Sequence, residues 1–177
     1  MGRVALALCL LFDSRTDRLV RQLWQRLENQ GVPTLLTHTH GRHHPHLSLA
    51  VLREWDLDRV RSALQPLPDA GPCDVAVQGT VVFPRGRGAL ACSASANLAA
   101  RQERVVDVLR ASGAEMHRHY EHGRWVPHVS VATSASSSTL AVVVNTVSDV
   151  LPVTLVANQA ALIDTSTGQQ WLLPKAP

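Results

Sequence analysis

Residues 43–52 read HHPHLSLAVL, and residues 126–133 read VPHVSVAT. In each stretch a proline precedes a histidine, and a serine stands two residues further on: His46 and Ser48, then His128 and Ser130. Both the histidines and the serines are 82 residues apart. Side chains alternate across a strand. His46, Ser48 and Ala50 are therefore expected on one face, with Leu47, Leu49 and Val51 on the other. His128, Ser130 and Ala132 likewise oppose Val129 and Val131. The apolar face suits packing under helices, and the other offers an imidazole, a hydroxyl and a small residue. His43 and His44 precede Pro45 and fall in a loop.

The surrounding chain repeats the same order of signals. Val4 to Phe12 reads as a buried strand. One Arg followed by an apolar run resembles a signal peptide, but no small-residue cleavage site follows. Ser14 and Asp17 signal a helix start, Leu19, Leu23 and Leu27 recur at helical spacing, and Gly31 with Pro33 closes the helix. A strand over about 46–52 follows, then a helix capped by Asp56 to about Leu64, a strand CDVAVQGTVVF, and a turn at PRGRG. In the second half ALACSAS reads as a strand and about 97–112 as a helix. VPHVSVAT is a strand, Leu140, Val143, Val147 and Leu151 mark a helix, and VTLVANQAALID and QQWLL are strands. The helix starts Ser14 and Ser95, and the pre-turn residues Phe83 and Asp164, are 81 apart. This period is too long for a solenoid. It predicts one bilobal domain over residues 1–177, with pseudo-repeats of about 4–84 and 88–174.

Composition narrows the function classes. Apolar residues make up 45% of 177, enough for a sizeable core and against disorder. The formal charge of +3 suits an anionic ligand and is too small for a protein that coats duplex DNA. Three cysteines without a CxxC pair argue against a disulfide scaffold and point to a reducing cytoplasm. No segment has the length of a transmembrane helix, so no membrane partner is expected.

Two His–Ser pairs lining one cleft have a chemical use. Displacement at phosphorus needs a base to activate the nucleophile and an acid to protonate the leaving oxygen. Histidines supply both near neutral pH. Each serine hydroxyl donates to a non-bridging phosphate oxygen. No metal or other cofactor is required.

HLSLA and HVSVA, about eighty residues apart in a chain of this length, resemble the paired H-x-S/T-x motifs of the two-histidine (2H) phosphoesterases. That superfamily includes bacterial 2′-5′ RNA ligases and 2′,3′-cyclic nucleotide phosphodiesterases. The resemblance spans almost the whole chain. It implies an α+β, duplicated bilobal fold, with two antiparallel-rich sheets flanking a central cleft and helices on the outside. It implies His46, Ser48, His128 and Ser130 as the catalytic set, with His128 as base and His46 as acid. The implied reaction opens a 2′,3′-cyclic phosphate of an RNA terminus or small nucleotide to a 2′-phosphate, in a monomer. It also implies reversible 2′-5′ RNA ligase activity at the same site. This chain has Ser in both motifs where many relatives have Thr, and the hydroxyl survives. The alternative is a non-catalytic module that binds RNA ends or phosphorylated ligands in the same cleft.

Other residues extend the candidate site. Arg42, Arg85, Arg87 and Arg124 lie in turn-like segments, from which they would reach phosphate or simply be solvated. Tyr120 and Trp125 are candidates to stack a base, although Trp125 also suits packing at the lobe edge. Trp24 and Trp55 read as core or helix-edge residues. His38, His40, His43 and His117, His119, His122 repeat an H-x-H-x-x-H spacing. Metal binding and basic loops at the cleft rim are both open readings of these tracts. The expected substrate contacts are Arg42, Tyr120, Arg124 and Trp125, with no metal site.

Overall fold

The structure, a computed structural model, describes residues 5–177. The first half comprises β1 (Leu6–Phe12), α1 (Ser14–Glu28), β2 (His46–Glu54), α2 (Leu57–Leu64) and β3 (Cys73–Phe83). A 3₁₀ turn at Pro84–Gly86 leads into β4 (Arg87–Cys92) and α3 (Ala96–Ala111). Then come β5 (Glu115–Met116), β6 (His128–Ala132), α4 (Leu140–Ser148), β7 (Val153–Asp164) and β8 (Gln170–Leu172). Val4, expected to open the first strand, lies outside the described residues.

Local chemistry explains the boundaries. α1 buries Val20, Leu23, Trp24 and Leu27, one stripe at helical spacing. Its N-cap is Asp13 rather than Ser14: the Asp13 carboxylate accepts the Thr16 N–H at 2.7 Å. In α3 the Ser95 hydroxyl accepts the Leu98 N–H at 3.2 Å. The two true caps are therefore 82 residues apart, the same interval as the motifs. α4 starts after Thr139 with no side-chain cap bond. It stops at Ser148, short of Leu151, where the Asp149 N–H closes onto the Asn145 and Val147 carbonyls.

The fold is α+β with purely antiparallel pairing. Hydrogen bonds join the strands of both halves into one continuous sheet, in the order β5-β2-β1-β7-β3-β4-β6, with β8 beside β7. Exchanging β1 with β4, β2 with β6 and β3 with β7 reverses that order, apart from β5 and β8. The midpoint of this order is the β7–β3 pair, and the halves interleave there, since β7 also pairs with β1 and β3 with β4. β2 and β6 lie towards opposite ends of the hydrogen-bonded order yet come back into contact. α1 packs on β1, α4 and β6, and α3 packs on α2, β2 and β5. Each long helix therefore supports the motif strand of the other half.

The main core lies between sheet and helices and includes Leu8, Leu10, Leu23, Trp24, Leu47, Leu49, Val105 and Val129. A smaller cluster of Ala7, Cys9, Leu11 and Ala161, with Val51 and Ile163, covers the opposite face.

Alternation in the motif strands ends at the serine. Cys9 pairs with Ser48 and Leu8 with Ala50, which skips Leu49. Ala89 pairs with Ser130 and Gly88 with Ala132, which skips Val131. Both strands carry a β-bulge at the same place, and such bulges re-aim side chains. Ala50 and Ala132 therefore join the core with the leucines and valines, instead of sharing the His–Ser face as expected. Val51 turns to the opposite face in their place.

Cys9, Cys73 and Cys92 are free and buried. No helix among the described residues is long and apolar enough to cross a membrane.

Candidate functional site

The two motif histidines are held in the same way. The Nδ1–H of His46 donates to the His44 carbonyl at 2.7 Å, and that of His128 donates to the Val126 carbonyl at 2.7 Å. Between ring and acceptor sits a buried proline, Pro45 or Pro127, whose fixed φ shapes the turn before the strand. A carbonyl only accepts, so Nδ1 carries the hydrogen in both rings. In the neutral state each ring is left with an Nε2 that carries no hydrogen and is able to accept a proton.

Electrostatics favour neutrality at both. The His46 pKa is lowered, chiefly by burial, with further lowering by the charges of His128 and His44 against the pull of the carbonyl bond. The His128 pKa is lowered by burial and by the Arg87 guanidinium, again against its carbonyl bond. The charge on His128 acts on His46. Arg87 stands at the start of β4, and its charge also reaches Tyr120 and His117. Phe83 packs on the His128 ring, with centroids 4.6 Å apart.

The serines differ more than the histidines. The Ser48 Oγ lies 3.5 Å from the Cys9 Sγ, and the Ser48 hydroxyl acts to lower the otherwise raised pKa of the Tyr120 phenol. Burial pushes the Cys9 thiol up to about 12 and the Tyr120 phenol up to about 12, so both keep their protons. On the other motif strand, Ala89 occupies the register position opposite Ser130 that Cys9 occupies opposite Ser48. The backbones are again alike. Trp125 Nε1–H donates to the Ser48 carbonyl at 3.0 Å, and Trp24 Nε1–H donates to the Ser130 carbonyl at 3.0 Å.

The other expected site residues divide. Tyr120 is brought to Ser48. Trp125 is half-buried with its indole N–H on the Ser48 backbone, and it packs against the main core. Arg42 turns towards the β7–β8 turn, where its Nη2 donates to the Thr167 carbonyl at 2.6 Å. Arg124 is exposed, and its backbone N–H bonds the Glu121 carbonyl at 3.0 Å.

The histidine tracts separate too. The rings of His40 and His43 are 4.1 Å apart, and those of His38 and His43 are 5.9 Å apart. His117 stacks on His119 at 4.9 Å, while His122 pairs with Asp107 at 2.9 Å. Burial, with the charges of His40, His46 and His38, lowers the His43 pKa to about 4. Among the described residues, no group of three or more His, Cys, Asp or Glu is arranged to hold a metal ion.

Three residues of this site escape a reading of sequence: Cys9 beneath Ser48, Phe83 on His128, and Trp24 on the Ser130 backbone. Only strand register could have found Cys9, because its partner lies 39 residues away. Arg87 was one arginine among four until its charge could be located.

A family model described as the 2′-5′ RNA ligase superfamily matches residues 16–169. No curated protein matches the sequence significantly. Among solved structures, E. coli LigT in apo form is similar with a TM-score of 0.61, at 10% identity, over 98% of this chain and 96% of that one. Usb1 of Kluyveromyces marxianus is similar with a TM-score of 0.55, at 14% identity, over 97% of this chain and 98% of that one. The MHV ns2 PDE domain gives 0.55 at 15% identity, over 98% and 99%. All three are members of the 2H phosphoesterase superfamily. At these identities the structures speak for the fold, and the family match runs through both H-x-S strands. The chain belongs to the 2′-5′ RNA ligase superfamily, within the two-histidine phosphoesterases.

Proposed function

We propose that this protein is a phosphodiesterase that opens 2′,3′-cyclic phosphates of RNA ends or nucleotides to 2′-phosphomonoesters. The observation that carries this reading is the pair of H-x-S motifs on equivalent strands, each with Nδ1 committed to a carbonyl and Nε2 left for chemistry. Neighbouring folds have been solved with nucleotides bound, Usb1 with uridine monophosphate and LigT with 3′-AMP, which supports a nucleotide phosphate as ligand.

His128 is the base and His46 the acid. The charge of Arg87 disfavours a proton on His128, which suits a base that enters the reaction neutral. The mechanism requires His46 to enter protonated. Nε2 of His128 takes a proton from water as the water oxygen bonds to phosphorus. The bond from phosphorus to the 3′-oxygen breaks, and Nε2–H of His46 protonates that oxygen. Ser48 and Ser130 donate to the non-bridging oxygens, where charge accumulates. A 5′-hydroxyl in place of water forms a 2′-5′ linkage by the same transfers. None of these steps requires a metal. The palindromic strand order supports one duplicated bilobal unit, acting as a monomer, and the three free cysteines suit the cytoplasm.

The test is hydrolysis of 2′,3′-cyclic nucleotides in EDTA by wild type, His46→Ala and His128→Ala. Each substitution is expected to lower the rate about 10²-fold or more. Wild-type rates in both variants would overturn the mechanism.

A further inference from the structure

We propose that Gln102 is a positioning residue for Ser48: its buried amide ties the bulge of β2 to the loop over residues 117–127, and so sets where the Ser48 hydroxyl meets the phosphate. The role of Ser48 rests on the phosphodiesterase reading; the tie itself does not.

Gln102 sits on the buried stripe of α3 with Leu98, Val105 and Leu109, and is 3% exposed. A polar side chain there must find its partners within the protein. Its Nε2 donates to two carbonyls, that of Leu49 at 3.3 Å and that of Tyr120 at 2.8 Å. A carbonyl only accepts, so the nitrogen end of the amide faces both, and both of its hydrogens are used. One head group thus joins a motif strand to the loop that carries Tyr120 and Trp125.

Leu49 is the bulge residue. The register on β1 passes from Ala50 to Ser48 without it, and the pairing of β2 with β5 begins only at Leu52. A bulge leaves one residue outside the ladder and re-aims its neighbours. Gln102 takes the carbonyl of that residue. The preceding carbonyl, of Ser48, takes the Trp125 indole N–H at 3.0 Å. Two successive carbonyls at the Ser48 hydroxyl are therefore both held by side chains. One holder comes from the loop, and the other from the helix that also grips the loop. A shift of the loop is felt at the bulge, and Ser48 moves with it.

β6 has the same bulge, at Val131. At the interval of 82 that relates the motifs, the position matching Gln102 is Val20 on α1, buried and without a donor. The motif strands are alike in backbone, and this amide distinguishes them. A serine that donates to an oxygen gaining charge acts mainly in the transition state. A displaced Ser48 therefore lowers kcat more than it raises KM.

The test is hydrolysis of a 2′,3′-cyclic nucleotide by the full chain, together with amide hydrogen exchange, for wild type, Gln102→Met and Gln102→Asn. Gln102→Met keeps the length of the side chain but donates nothing. Gln102→Asn keeps an amide one methylene too short to span both carbonyls, and it carries the test alone if Gln102→Met does not fold. Each is expected to lower kcat about tenfold with KM within about threefold, less than the loss of about 10²-fold or more for a direct oxyanion donor. Exchange should quicken in residues 46–50 and 117–127 together and stay as in wild type across β7. In a Ser48→Ala background the substitution costs no further kcat. In a Ser130→Ala background its cost is undiminished, since only Ser48→Ala removes the group through which it acts. Wild-type kcat in both variants overturns the proposal, as does a loss that persists without Ser48. Faster exchange in one segment without the other, or spread over β7 as well, overturns it too. A wild-type protein that leaves 2′,3′-cyclic nucleotides intact sinks the phosphodiesterase reading, and the exchange pattern then decides the tie by itself.

Discussion

The indole N–H of Trp24, inside α1, donates to the backbone carbonyl of Ser130 at 3.0 Å, although the two residues are 106 positions apart. β6 is an edge strand, and this carbonyl faces away from its partner β4. Unpaired edge groups invite pairing with other chains, and here a buried side chain of the other half occupies one. Trp24→Phe keeps an aromatic ring but leaves a smaller side chain in a fully buried site and orphans the carbonyl. It is expected to cost about 1–3 kcal/mol of stability, read from urea denaturation midpoints. It should also lower turnover, because Ser130 loses a fixed backbone. Unchanged stability would show that water satisfies the carbonyl equally well.

The histidine pair sets a pH optimum on the acid side. On the proposed mechanism, kcat/KM rises with pH as His128 loses its proton and falls as His46 loses its own. Both pKa values are lowered from the ordinary histidine value of 6.5, burial being the largest cause for each. The optimum of kcat/KM for a 2′,3′-cyclic nucleotide is therefore expected below pH 6.5. On the alkaline side the fall approaches about tenfold per unit, as for loss of one essential proton. A bound phosphate anion favours charged imidazole, so the kcat profile should lie at higher pH than that of kcat/KM. A kcat/KM optimum above pH 7 would contradict the assignment.

Arg87 offers a way to move one limb. Its charge is the second cause of the lowered His128 pKa, after burial. Arg87→Gln should shift the acid limb of kcat/KM to higher pH without restoring the ordinary histidine value. NMR titration of the His128 ring would read the same shift directly. Arg87 is exposed, so wild type and variant should converge as salt is raised. A shift of equal size in 1 M salt would mean that the guanidinium acts by packing.

Gly86 locks the hairpin that precedes β4. Its φ is +68°, and a Cβ there would lie 1.9 Å from the Ala135 carbonyl oxygen. The Ala135 N–H in turn bonds the Gly86 carbonyl at 2.7 Å. Gly86→Ala adds a strained backbone and forces the hairpin from the segment after β6. The expected loss is about 1–3 kcal/mol, seen as a lower Tm. Gly123, also at positive φ, has nothing within 4 Å of a Cβ. Gly123→Ala should therefore cost less, since it adds the strain without the clash.

Much of this arrangement is legible in the chain because its signals occur twice. The proline before each motif histidine and the serine after it pick out His46 and His128 from nine histidines. The long strands and helices follow from periodicity. β5, only two residues long, is too short to have any. The bulges were hidden because alanine suits either face of a sheet. HLSLA and HVSVA read as unbroken alternation until Leu8 and Gly88 show which residues they oppose. Ser14 and Asp13 are both good caps, and geometry chose the latter. Arg42 shows a different limit. Sequence placed it near the motif, but its direction is set by a carbonyl 125 residues away.

The crossed support of the motif strands has one more consequence. A half-length chain with this topology would leave its own motif strand without the helix beneath it. It could complete itself only against a second copy, as a twofold dimer with exchanged helices. In such a dimer the two histidines would be the same residue in the same surroundings, and neither could be biased towards giving or taking a proton. Joining the copies into one polypeptide removes that identity. Cys9 can then stand where its counterpart is Ala89, and Arg87 can bear on one imidazole more than on the other. On the proposed mechanism, the covalent link between the halves is what permits the two histidines a division of labour.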